Sequence, residues 1–170
     1  MDQLRAVLDG LGARRRIMHV DPDLVGADEI AQAAGLGFQD AVQPVLLEAD
    51  RDFVAALVPG RARLSNGRVA ELIGARRVRL LGPQQTRRWL ARWMGHVADP
   101  ADTALTWWEV PFLTGLPTIA SREILLRNLV IVPTGTPGWI VRLQPGELTR
   151  ITNAHLGAIT PADEHPARKP

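Results

Sequence analysis

The sequence predicts a single α/β domain of the mixed α+β kind, and three observations carry that prediction. Short apolar, β-branched runs alternate with short amphipathic segments along the chain, the pattern of interleaved strands and helices. A length of 170 residues, 46% of them hydrophobic, is enough to bury a core without disulfides or a metal. The stretch Ala41–Ala75 reads as a complete unit, strand–turn–strand–loop–helix, on which the remainder can pack.

Taken in order, Leu4, Val7, Leu8 and Leu11 recur at helical spacing, with Asp2 and Asp9 on the polar side. This predicts an amphipathic surface helix rather than a signal or transit peptide. Arg16–Val20 is an expected strand leading to the turn Asp21-Pro22-Asp23. Gly26–Ala34 is a helix with Asp28 and Glu29 in its first turn and Gly35 at its end. In the central unit, Val42–Leu47 and Phe53–Val58 form a β-hairpin around the polar residues 48–52. Pro44 removes a ladder donor, so its strand must be an edge or bulge there. Pro59-Gly60 stops the second strand. Ser65 caps a helix holding Val69, Ala70, Leu72 and Ile73, which ends at Gly74.

Arg77–Leu81 alternates apolar and basic residues, as a half-exposed strand does. Pro83 opens a helix reaching about Met94, with Trp89 and Trp93 on one face. Residues His96–Thr103 read as a loop, Thr106–Val110 as a strand or pocket wall, and Pro111–Pro117 as a loop. Thr118–Leu126 begins as a strand and turns helical. Leu129–Val132 and Trp139–Leu143 pair across the glycine turn Thr134–Gly138, and Pro145–Thr152 is the last helix. The domain is expected to span 1–160, with 161–170 a polar, proline-rich, disordered tail.

The pI of 10.3 overstates basicity. Net charge is +2, and with no Tyr, no Cys and Lys169 as the one lysine, almost nothing titrates between histidine and arginine. Distribution says more: Arg61–Arg92 holds nine arginines against Glu71 alone, whereas residues 1–60 hold five against ten acids. A basic face suits phosphate, although surface helices can also be basic without a partner.

Several chemistries have no support. The absence of cysteine excludes thiolate catalysis and cysteine metal sites. Ser65 and Ser121, the two serines, stand in no nucleophile elbow. The histidines 19, 96, 155 and 165 show no metal spacing. No Walker loop is present, and Asp50 and Asp52 read as solvated turn residues. No apolar run has membrane-spanning length. No metal, cofactor or membrane is expected, and the expected location is cytoplasmic.

Four stretches together resemble the YbaK/EbsC family of aminoacyl-tRNA deacylases, which shares its fold with the insertion editing domain of bacterial prolyl-tRNA synthetase. They are residues Glu29–Gly35, Val45–Gly60, Leu64–Leu80, and Thr134–Gly138 with Trp139–Leu143. The resemblance implies one twisted, barrel-like mixed sheet with short helices around it. It also implies a cavity for the 3′ acceptor end of an aminoacyl-tRNA, and hydrolysis of a mischarged ester in trans, in the service of translation fidelity. An aminoacyl-tRNA synthetase is a second candidate partner. In such a mechanism water or the neighbouring ribose hydroxyl attacks, while the protein positions the ester and stabilises developing negative charge.

By this resemblance the catalytic positions are Gln43, Gly135 and Gly138. The substrate-binding positions are His19, Pro44, Arg61, Arg63, Trp107, Trp108, Pro111, Phe112 and Thr134. The chain departs from the family twice. Where the family carries a lysine at the start of the hairpin, this chain has Gln43, which donates a hydrogen bond but brings no charge. Where the family loop reads Gly-Gly-x-Ser-Pro-Phe-Gly, this chain has Trp107-Trp108-Glu109-Val110-Pro111-Phe112-Leu113. Those indoles either reshape the pocket and offer a stacking platform, or pack into the core and narrow it.

Three readings follow: a deacylase with an altered pocket, a non-catalytic relative that binds tRNA or another acidic partner through Arg61–Arg92, and a small-ligand module using the tryptophans.

Overall fold

The computed structural model describes residues 2–24, 27–60, 62–82, 84–86, 88–89, 115–134 and 138–161. The chain is mixed α+β, as expected, but its strands divide into two sheets. One is three-stranded and antiparallel, in the order β1 (Arg15–His19), β7 (Trp139–Leu143), β6 (Val130–Pro133). The other is five-stranded, in the order β4 (Val78–Leu80), β2 (Val42–Ala49), β3 (Asp52–Pro59), β5 (Thr118–Ser121), β8 (His155–Gly157). A single parallel bridge, Ala41 to Ile131, links them. Among the described residues there is therefore no closed barrel: β2 and β6 meet at one residue pair and then separate.

The hairpin is the best-paired part of the molecule. Its register runs unbroken from Val42 opposite Pro59 to Ala49 opposite Asp52. The strands are thus longer than expected and the turn is only Asp50-Arg51. Asp50 adopts a φ of 54°, which aspartate tolerates better than most residues. Its carboxylate accepts the backbone N–H of Arg76 at 3.1 Å and of Arg77 at 2.9 Å, and its own N–H donates to the Arg77 carbonyl at 2.9 Å. The expectation of a merely solvated Asp50 is corrected: it fastens the hairpin tip to the loop before β4.

Pro44 sits where a strand can hold a proline. The Gly60 N–H donates to the Ala41 carbonyl at 2.7 Å and the Leu81 N–H to the Leu46 carbonyl at 3.0 Å. With pairing alternating along an antiparallel ladder, residues 43, 45, 47 and 49 face β3 and the even residues face outward. Among the described residues β4 pairs only with Leu47–Ala49 and none pairs with the outward side at Pro44, so no ladder bond among them is lost there.

Helices fill the remaining faces. The two sheets face one another across Val42, Leu57, Ala120, Val130, Val132, Val141 and Leu143. Leu8 of α1 (Asp2–Gly10) and Leu148 and Ile151 of α4 (Pro145–Ile151) join that core. α2 (Ala27–Ala33) places Ala31 over Val20, Ala41, Ile131 and Ile140 on the opposite face of the small sheet. α3 (Asn66–Ile73) places Val69 over Leu47, Val54, Ala56 and Val58. As read from the sequence, the Ser65 hydroxyl caps α3, accepting from the Arg68 N–H at 3.5 Å, and Gly74 ends it at a φ of 69°.

Near the chain end, the Ser65 N–H donates to the Ile159 carbonyl at 2.8 Å and Arg68 Nη1 to the Thr160 carbonyl at 2.5 Å. The buried Thr160 hydroxyl donates to Glu123 at 2.6 Å. Beside α4, the Arg150 guanidinium and the Arg14 N–H hold the Glu147 carboxyl down to about 2, well below its ordinary value.

Candidate functional site

Strand direction decides which expected site residues meet. β1 and β6 each run antiparallel to β7, so they are parallel to one another. Their C-terminal ends, at His19 and at Pro133-Thr134, lie with the start of β7 at one end of the small sheet. The Ala41–Ile131 bridge is also parallel, so β2 leaves it in the direction of β6. Gln43 and Pro44, two and three residues on, therefore head toward the same end as Thr134 and Gly138.

The side chains then divide between two faces, because successive residues of a strand point opposite ways. Gln43 shares its face with Ala41, which packs beneath α2, and with Val45, which packs beside α3. Its cross-strand partner Val58 belongs to the α3 cluster. Gln43 thus occupies the interval between two helices and is half-buried there. Pro44 is buried on the other face, with Val42 and Leu46. His19 follows Ile17, which packs on the core between the sheets. Its ring stands edge-on to that of its register partner Trp139, 4.9 Å between centroids, and the Arg5 guanidinium of α1 lies 5.6 Å from the same indole. His19 and Gln43 reach the same end of the fold from opposite faces.

The turn after β6 is tightly built. The Thr134 hydroxyl donates to the Trp139 carbonyl at 2.9 Å, and its N–H to the same oxygen at 3.3 Å. Gly138 has a φ of +77°, and a Cβ there would lie 2.9 Å from the Val20 carbonyl oxygen, 3.1 Å from His19 Nε2 and 3.3 Å from Pro22 Cα. Its own carbonyl accepts the Val20 N–H at 2.7 Å. Conformation and close packing both require glycine at 138, and they pin the turn to the end of β1.

The Gly60 bond to Ala41 starts the loop toward α3 beside the site end of β2, and Arg63 in that loop is exposed. Gly135, Arg61, Trp107, Trp108, Pro111 and Phe112 lie outside the described residues. The acid nearest Gln43 in sequence, Asp40, accepts the Gly37 N–H at 2.9 Å. Among the described residues no three His, Asp or Glu side chains gather as a metal site would require. What Gln43 offers is an amide that can donate to an oxygen acquiring negative charge.

The basic segment is uneven. Arg79 is ion-paired with its cross-strand neighbour Glu48, and Arg68 is bonded to the Thr160 carbonyl. Arg63, Arg76, Arg77 and Arg88 are exposed. Sequence reasoning missed the clamp by Asp50 and the stacking of Phe53 on Trp89, whose ring centroids are 4.8 Å apart. Both join residues remote in sequence, so no local pattern announced them.

No protein-family model and no curated protein sequence matches the chain. Solved structures do. A scaffold protein from work on epitope backbone grafting is 22% identical with a TM-score of 0.76, over 94% of this chain and 96% of that one. A candidate trans-editing enzyme for prolyl tRNA synthetase is 22% identical with a TM-score of 0.74, over the same shares of the two chains. A hypothetical protein is 18% identical with a TM-score of 0.69, over 94% of this chain and 99% of that one. At these identities the likeness is one of fold.

Proposed function

We propose, from the premise that this chain has the YbaK-like editing-domain fold, that it is a free-standing aminoacyl-tRNA deacylase that hydrolyses a mischarged ester in trans. The observation that carries the reading is the parallel bridge Ala41–Ile131, which sends Gln43 toward the same end as the Thr134–Gly138 turn. The acylated 3′ end would enter between α2 and α3. The Gln43 amide would donate to the carbonyl oxygen as water attacks the ester carbon, with the neighbouring ribose hydroxyl hydrogen-bonded to that water. The bond from the acyl carbon to the ribose oxygen then breaks as that oxygen takes up a proton. Backbone N–H groups of Gly135, Thr136 and Gly138 would supply further donors, Pro137 having none, and Arg61 or Arg63 would meet the terminal phosphate. Hydrolysis releases the amino acid and leaves the tRNA with its hydroxyl restored. A partner synthetase, and action in the cytoplasm, belong to the same proposal.

A neutral amide in place of a lysine predicts a slow enzyme, since one well-aimed donor is worth about a hundred- to a thousandfold in rate. The test is a panel of aminoacyl-tRNAs hydrolysed by wild type and Gln43→Lys in parallel. At least one ester is expected to turn over above buffer with the wild type, and faster with Gln43→Lys. A panel inert to both proteins would defeat the proposal. Activity in the variant alone would identify a chain that has lost the reaction, leaving binding of an acidic partner through Arg61–Arg92 as the reading to pursue.

A further inference from the structure

At the hairpin tip, about 23 Å of strand from Gln43 at ~3.3 Å per residue, lies a concavity of 740 Å³. Asp50, Arg51, Asp52, Phe53, Gly74 and Trp89 are among its lining residues. That volume is within the range of small-molecule sites. We propose that this groove binds an unpaired nucleotide of an RNA strand, its base against the Phe53–Trp89 pair and its flanking phosphates against Arg51, Arg76 and Arg77. The site is separate from the one assigned to the ester, and either assignment can stand without the other.

Two independent features point to that ligand. The first is the aromatic pair, its planes 38° apart, with Phe53 half-buried. Aromatic side chains of this kind accept any base, because every base has a π-face. The second is charge. Asp50 lies on the lining, yet its carboxylate is committed to the Arg76 and Arg77 N–H groups. That bonding fixes the backbone of the exposed residues Arg76 and Arg77, which directly follow the lining residues Gly74 and Ala75, and Arg51 on the lining is exposed as well. Asp50 and Asp52 on the lining stand against three exposed arginines, Arg51 on the lining and Arg76 and Arg77 just beyond Ala75, a balance of one positive charge that favours an anion over a basic peptide. Arg68 and Arg79, bonded within the protein, take no part.

The experiment uses the full chain with a short oligouridylate, and inorganic tripolyphosphate as a ligand that has charge but no base. Ultraviolet crosslinking of the wild type is expected to attach uridine to the peptides bearing Phe53 or Trp89. The double variant Arg76→Gln with Arg77→Gln is expected to lower the slope of log affinity against log salt by about 1.4, at roughly 0.7 per single-strand phosphate. Phe53→Leu is expected to weaken oligouridylate about tenfold and to leave tripolyphosphate unchanged. No binding by the wild type, crosslinks confined to other peptides, an unaltered salt slope, or equal weakening of both ligands by Phe53→Leu would each overturn the proposal.

Discussion

At its tip the β2–β3 hairpin is pinned; at its other end it is open. The tip has a two-residue turn, three hydrogen bonds at Asp50, and a third strand alongside at Leu47–Ala49. The open end has a proline whose outward side pairs with no strand among the described residues, and a one-residue bridge to a second sheet. Local bonding therefore holds the tip, whereas the open end takes its shape from what packs around it: α2, α3 and the turn closed by Gly138. A rigid end can carry a fixed array of arginines. In the proposed deacylase the open end would take the ester between α2 and α3, beside Gln43.

Substitutions can break this contrast. The largest effect is expected at the open end, from Gly138→Ala. A side chain there must accept positive φ and displace backbone, each worth about 1–3 kcal/mol, so a loss of about 3 kcal/mol in urea unfolding is expected. A loss below about 1 kcal/mol would show that the turn is not pinned as described. Next comes Asp50→Ala at the tip, which strands two N–H groups at the surface. It should cost about 1.5 kcal/mol, read as a fall in melting temperature of roughly 4 °C. No fall would mean that water replaces the carboxylate without penalty. The smallest effect belongs to Pro44→Val, a loss of about 0.4–1 kcal/mol from the freer unfolded chain, because among the described residues no strand pairs with the outward side at residue 44. A large gain in stability would place the restored N–H in a ladder and erase the distinction between the two ends.

Much of the hairpin and of α3 was legible in the sequence, because their signals are local. Ser65, the apolar residues 69–73 and Gly74 specify the helix on their own, and Pro44 announced an edge. The division into two sheets was not legible, since one bridge between Ala41 and Ile131 decides it. Nor was β8, whose three residues form a strand only because β5 lies parallel beside them. In the site, alternation along β1 and β2 does put His19 with Ile17 and Gln43 with Val45. Which helix covers which face depends on packing that no short pattern encodes. Asp50 reads as a surface acid until Arg76 and Arg77 are seen against it.

The fastening of residues 159–160 to α3 and to the segment after β5 has a consequence for biosynthesis. On a translating ribosome, α3 emerges long before the carbonyls and hydroxyl that bind Ser65, Arg68 and Glu123. The large sheet waits in the same way for β8. Until residue 160 has left the exit tunnel, the nascent chain holds a hairpin and a capped helix without their closing partner, so the cooperative fold of this region is completed only once residues 155–160 dock.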